Sequence, residues 1–305
     1  MQKFILTVLV ALLCLSSFSQ DMTTYQFAEK DGQALFLDLY TPDNVTDSTI
    51  CVVYVFGGGF KEGERNNEFG INYCRHLAQE GFMAAAIDYR LGMKEAKNVG
   101  ILNYEPVETA IHMATEDVIS ALAYLVGNAD VLKVNPEWIV LVGSSAGAIS
   151  VLQTDYVLCN GFLNSDLLPS DFRLAGVASY SGAIFSHEGL LKYRNHAPAP
   201  TMFFHGTADK LVNYGQMRFF SLGFFGSSKI VPRFEKFGYP FYFRRYSEYG
   251  HSVAMMLDST IDDFKWFVHH YVVNKEPLQI DAFYVNNDPS AQPEWDRCTP
   301  DDLYK

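Results

Sequence analysis

The stretch Trp138-Ile139-Val140-Leu141-Val142-Gly143-Ser144-Ser145-Ala146-Gly147 decides the fold of this chain. An unbroken apolar run enters a Gly-x-Ser-x-Gly turn, and a helical pattern, Ala148 to Leu158, follows. Unbroken apolar runs suit strands covered on both faces. Strand, sharp turn and helix in that order place Ser145 Oγ at the top of a sheet, in front of a helix N-terminus. The free N–H groups and the dipole of that terminus favour a developing negative charge. The glycines are required because so tight a turn leaves no room for side chains two residues either side of the serine. A Gly/Ser-rich turn without chemistry is the plainer alternative. Ser144 is the rival serine, but it would break the symmetric glycine spacing.

Other apolar runs surround this one: Ile50–Phe56, Phe82–Ile87, Leu174–Tyr180 and Thr201–His205, with the more polar Phe241–Tyr246 as a last strand. Gln33–Tyr40 alternates imperfectly and is expected to pair antiparallel with Thr24–Phe27. Between the runs, Val118, Ala121, Leu122 and Leu125 recur at helical spacing, as do Phe264, Phe267, Val268 and Tyr271. The alternation predicts an α/β fold: a mostly parallel central sheet with helices on both faces. Functional groups in such folds sit at the carboxyl ends of the strands.

The strand Ile50–Phe56 opens into Gly57-Gly58-Gly59-Phe60. Successive glycines let backbone N–H groups approach a substrate closely, and such donors stabilise the oxyanion of a tetrahedral intermediate. A flexible glycine turn would look the same in sequence.

With both motifs in view, the chain resembles the α/β-hydrolase fold, and within it the carboxylesterases with an HGGG-type loop. The hormone-sensitive-lipase-like enzymes, kynurenine formamidases, and acetyl and feruloyl esterases share these features. The likeness runs from about Tyr25 to Val273 and includes Leu37-Asp38-Leu39-Tyr40-Thr41-Pro42 and Asp88-Tyr89-Arg90-Leu91. It implies that Gly58, Gly59 and Ala146 donate the oxyanion N–H groups. Two departures stand out: Phe56 replaces the usual histidine, and Ala148 replaces a glycine found in many members.

Acid and base are sought after Ser145, in the order serine, acid, histidine. Asp209 lies on the loop after Thr201–His205, where the family keeps its acid; its task is to hold an imidazole in one tautomer. A turn or helix-capping aspartate is the plainer reading. His251, in Tyr249-Gly250-His251-Ser252, follows the strand Phe241–Tyr246 and is the expected base, since its unperturbed pKa lies near neutrality. His205 ends a strand and is expected to pack beneath Asp209. His269 and His270 belong to the final helix, and His187 and His196 to variable loops. Asp88 and Asp117 read as structural, with Arg90 as a partner for one of them.

The chain of 305 residues carries 23 Lys+Arg against 35 Asp+Glu, a formal charge of −12 that opposes binding to nucleic acid or anionic membranes. Lys3, the apolar run Phe4–Leu15 and Ser16-Ser17-Phe18-Ser19 read as a signal peptide over 1–19. Its removal would leave −13 and an exported, periplasmic or secreted protein. An N-terminal membrane anchor is the alternative, although the run is short for a span. No later segment reads as transmembrane. Residues 20–274 are then the catalytic domain and 275–305 a polar, Pro-containing tail, laid over the surface or loose. Of the remaining cysteines, Cys51 reads as a small core residue, and Cys159 and Cys298 could pair in an oxidising compartment.

These expectations combine into a serine hydrolase of carboxylic esters, with short-chain or carbohydrate-linked acyl groups, acetyl or feruloyl, suggested by the resemblance. Neither metal nor organic cofactor is expected. A serine peptidase or amidase on the same fold, or a catalytically dead binding protein, are the competing readings. The Phe- and Tyr-rich stretch from Tyr214 to Tyr249 is either core packing or an aromatic wall for the substrate. The insert Asp155–Asp171 is expected to overhang the site.

Overall fold

The computed structural model describes residues 22–96, 103–163, 165–285 and 294–304. The expected leader, 1–19, lies outside them. The chain builds a nine-stranded sheet in the order β1 (Met22–Lys30), β2 (Gln33–Tyr40), β4 (Met83–Ile87), β3 (Cys51–Val55), β5 (Ile139–Ser144), β6 (Gly176–Tyr180), β8 (Thr201–Gly206), β11 (Phe241–Tyr246) and β12 (Gln279–Tyr284). β1, β2 and β4 pair antiparallel, and from β4 to β12 every neighbouring pair is parallel. Every residue of β3, β4, β5, β6 and β8 is buried, which requires cover on both faces of the sheet.

Helices supply that cover. α1 (Glu68–Gln79) is opened by Asn67, whose side chain accepts from the Gly70 N–H, and it packs on β4. α2 (Glu105–Gly127) carries Pro106 in its first turn, where a missing N–H costs nothing, and lies on α4 (Ala146–Asn160). The short α3 (Ala129–Leu132) follows α2, while α5 (Ser227–Phe237) packs on β8 and β11. α6 (Ile261–Phe267) continues as a π-helical stretch, Val268–Val273, that buries Val268, Tyr271 and Val272. None of the helices among the described residues is long and apolar enough to cross a membrane.

The sequence reading differs from the structure at three places. Residues 275–305, read as a tail, supply β12, which pairs with β11 over six registers, so Phe241–Tyr246 is the penultimate strand. β12 alternates polar and apolar at the sheet edge, and that pattern is weaker than a continuous apolar run. Cys159 and Cys298 do not pair: Cys159 is buried with its Sγ against the Ala197 carbonyl, and all four described cysteines are free. Asp155 to Asn160 belong to α4, and none of the described residues from Asp155 to Asp171 lines the cavity described below.

A second sheet, of β7 (Ala183–Ser186), β10 (Leu222–Gly226) and β9 (Gln216–Phe219), lies beside the carboxyl edge of the first. The register Val55↔Gly143, Ser144↔Tyr180 and Gly206↔Tyr246 brings the ends of five strands, β3, β5, β6, β8 and β11, to that edge. The glycine loop, Ser145, Asp209 and His251 each follow one of these ends.

Candidate active site

The chain turns from β5 into α4 at Ser145, held at φ 53°, ψ −116°, a region that non-glycine residues rarely occupy. Such a conformation costs on the order of 1–3 kcal/mol and persists only where its surroundings enforce it. They do so on several sides. The Ser145 N–H donates to the Tyr180 carbonyl at 2.9 Å. The Ser144 hydroxyl donates to the Ala254 carbonyl at 2.6 Å. A Cβ on Gly147 would sit 2.0 Å from the Val55 carbonyl oxygen, so a glycine is required there.

From this turn the Ser145 hydroxyl reaches His251 Nε2 at 2.7 Å, and His251 Nδ1 reaches Asp209 Oδ2 at 2.8 Å. The carboxylate can only accept, so Nδ1 carries the proton and Nε2 presents its lone pair to the serine hydroxyl. Asp209 and His251 are both buried. The other oxygen of Asp209 accepts from the backbone N–H groups of Leu211 and Val212, each at 3.0 Å. Burial pushes this carboxyl up, but the hydrogen bonds from His205 and His251 outweigh it and hold it well below the usual carboxylate range. The acid therefore stays ionised at neutral pH.

His205 lies beneath Asp209, as expected. Its Nε2 faces the Val212 carbonyl at 3.0 Å and Asp209 Oδ2 at 3.5 Å, both of which must accept, so Nε2 holds the proton and shares it between them; Nδ1 then accepts from the Ser227 hydroxyl at 2.8 Å. Both nitrogens are thus engaged, and His205 has none left for a substrate. Asp88 faces Arg65, Asp117 faces Arg90, and His187 faces Glu108.

Beside the serine, the loop Gly57–Phe60 runs through left-handed conformations at Gly58 (φ 123°), Gly59 (φ 62°) and Phe60 (φ 58°). A Cβ on Gly58 would lie 1.9 Å from the Glu62 carbonyl oxygen. Where a histidine was expected, the Phe56 ring stacks on Tyr89 at 4.3 Å, and the Tyr89 hydroxyl donates to the Phe56 carbonyl. Gly59, Ser145 and Ala146 share the wall of one cavity of about 490 Å³. Its other walls are largely apolar: Ile149 from α4, Phe185 from β7, Val212, and Leu222 and Phe224 from β10.

The Phe-rich stretch divides between its two readings. Phe224 faces the cavity, Phe225 is buried in the core, and Phe220 is 82% exposed. Thr299, Pro300, Asp301, Leu303 and Tyr304 complete the wall. The sequence reading missed this last group. Its one signal is Trp295 and Tyr304 standing in an otherwise polar segment.

The BD-FAE family model matches residues 37–155, a span that holds both the glycine loop and the serine turn. The apo form of Thermogutta terrifontis esterase 2 superposes with a TM-score of 0.57 at 20% identity, covering 85% of this chain and 96% of that one. The fold is that of the α/β-hydrolases. The butyrate-bound form of the same esterase matches at a TM-score of 0.55 and 19% identity, over 81% and 94% of the two chains. In sequence, esterase E4 of Myzus persicae is 32% identical over 124 residues, 38% of this chain. A protein of Oryza sativa subsp. japonica named "Probable isoprenylcysteine alpha-carbonyl methylesterase ICMEL1" is 33% identical over 112 residues. The chain spans 21% and 23% of the lengths of those two relatives.

Proposed function

We propose that this α/β-hydrolase is a serine esterase that cleaves carboxylic esters through an acyl-enzyme. The observation that carries the reading is the continuous line from Ser145 Oγ through His251 to the ionised Asp209, at the wall of an open apolar cavity. In this mechanism His251 Nε2 takes the Ser145 proton as Oγ attacks the ester carbonyl. Asp209 keeps the imidazole in the required tautomer and stabilises the imidazolium. The N–H groups of Gly58, Gly59 and Ala146 receive the oxyanion. His251 then protonates the departing alcohol and activates the water that releases the acid.

The finer reading is a short acyl group, acetyl or feruloyl in type, on a small or carbohydrate-linked alcohol. A solved relative holds butyrate, and Phe224 and Phe185 offer rings against which a flat aryl group can stack. Export rests on residues 1–19 alone. The excess of acidic residues argues against nucleic acid as a partner.

The test is hydrolysis of p-nitrophenyl acetate beside the matching anilide. An esterase turns over the ester far faster; a peptidase or amidase retains substantial anilide activity, and a binding protein cleaves neither. Ser145→Ala should remove ester hydrolysis by on the order of a millionfold. A variant active near the wild-type rate would sink the assignment. In an acyl series from acetate to palmitate, kcat/KM should rise by about 0.8 kcal/mol per buried methylene until the cavity is full, with the optimum at about two to four carbons. An optimum at eight or more carbons would remove the short-acyl reading and leave the esterase reading standing.

A further inference from the structure

The segment Glu294–Tyr304 touches both halves of the site. At one end Asp296 is buried, and its Oδ1 accepts the Ser252 N–H at 2.7 Å, one residue after His251. Gly250, one residue before His251, lies so close that a Cβ there would meet the Asp296 carbonyl oxygen at 2.1 Å. At the other end, in α7 (Pro300–Tyr304), the Tyr304 hydroxyl donates to the Gly59 carbonyl at 2.9 Å. Lys61 Nζ donates to the Leu303 carbonyl at 2.7 Å and so ties α7 to the same loop.

We propose that Tyr304 is a positioning residue for the oxyanion loop, fixing Gly59 from outside the motif. The proposal rests on the esterase reading above and adds a residue to it. A peptide unit is planar, so holding a carbonyl fixes the N–H of the next residue. The Gly58 carbonyl accepts from the N–H groups of Lys61 and Glu62, both at 3.0 Å, and this sets the Gly59 N–H. Tyr304 holds the next carbonyl, that of Gly59 itself. With both flanking peptide planes pinned, Gly59 is confined to one conformation, although glycine is otherwise the least restricted residue. Burial pushes the Tyr304 hydroxyl up to about 12, so it remains a neutral donor across the working pH range. The hydroxyl acts on the loop and does not touch the reacting atoms.

Tyr304→Phe keeps the ring and removes only the donor. With p-nitrophenyl acetate, kcat should fall about three- to tenfold, the range for one neutral hydrogen bond, while KM stays within about twofold. The kcat/KM pH profile should keep its shape, because His251 and Asp209 are untouched. Hydrogen–deuterium exchange of the peptide spanning Phe56–Lys61 should speed up, a readout that does not depend on turnover. Lys61→Met, which frees the Leu303 carbonyl, should move exchange the same way by less. Unchanged exchange with unchanged kcat in Tyr304→Phe overturns the proposal, as does a loss confined to KM. If the wild type cleaves no ester, the esterase reading fails, and exchange alone then decides whether Tyr304 orders the loop.

Discussion

Asp209 and Asp117 are equally buried, yet they serve opposite purposes. Each side chain is 0% exposed. Asp209 faces the imidazoles of His251 and His205, and through His251 it is linked to the Ser145 hydroxyl. Asp117, inside α2, faces the Arg90 guanidinium and the Lys30 side chain, neither of which leads on to the serine. Arg90 is shared with Asp31 and Glu116, so this cluster ties the end of β1 and the turn that follows it to α2 and the segment after β4. Burial alone does not separate the proposed catalytic carboxylate from the structural one; what the partner touches next does. Asp155 is a third case. It is buried, and among the described residues its partners are the Ala199 N–H and the Cys159 thiol, so burial pushes its carboxyl up to about 7 against their weak opposition.

Substitution by asparagine should break these three sites in three ways. Asp209→Asn should cost about four orders of magnitude in rate with the fold intact, because the histidine loses its enforced tautomer. Circular dichroism and ester kinetics on one sample check both parts. Asp117→Asn should do the reverse. Arg90 loses the charge of its most buried partner, a loss of roughly 3 kcal/mol in denaturant unfolding, while kcat of the folded fraction stays near wild type. A larger rate loss in Asp117→Asn than in Asp209→Asn would invert the assignment.

Asp155→Asn should show itself in the pH dependence of stability. A carboxyl whose folded pKa is raised stabilises fully below its unfolded pKa of about 3.9. That stability is lost as pH rises toward about 7, by at most about 1.4 kcal/mol per pH unit. Wild type should therefore lose stability relative to Asp155→Asn between about pH 4 and 7. Asp209 has the opposite sign: its depressed pKa gives stability above about pH 4 that is lost as pH falls further. Parallel stability curves for wild type and Asp155→Asn would show that Asp155 is ionised in the folded protein.

These contrasts also explain what could be read from the chain before its fold. The central strands were legible because Val140-Leu141-Val142 and its counterparts are buried on both faces and so are apolar throughout. The serine turn and the glycine loop were legible because part of their constraint is local: a side chain at Gly143 would collide with Gly147, and one at Gly58 with Glu62, each four residues on. Order along the chain narrowed the candidates, and the resemblance to the α/β-hydrolases pointed to Asp209 and His251 among them. The segment that closes the cavity was not legible. Tyr304 meets Gly59 across 245 positions, and no periodicity encodes a contact of that range. β12 was missed because Gln279–Tyr284 is an edge strand with no buried residue, and its alternation covers only Gln279 to Ala282.

The central claim is that Ser145 is a nucleophile activated by His251. An organophosphorus probe, which reacts with an activated serine hydroxyl, tests this directly. The chain should be treated with a fluorophosphonate, digested and mapped by mass spectrometry. A single adduct on Ser145, formed in the wild type and lost in His251→Ala, is the predicted result. An adduct on Ser144 or elsewhere, or a wild-type protein that does not react while native and folded, would contradict it.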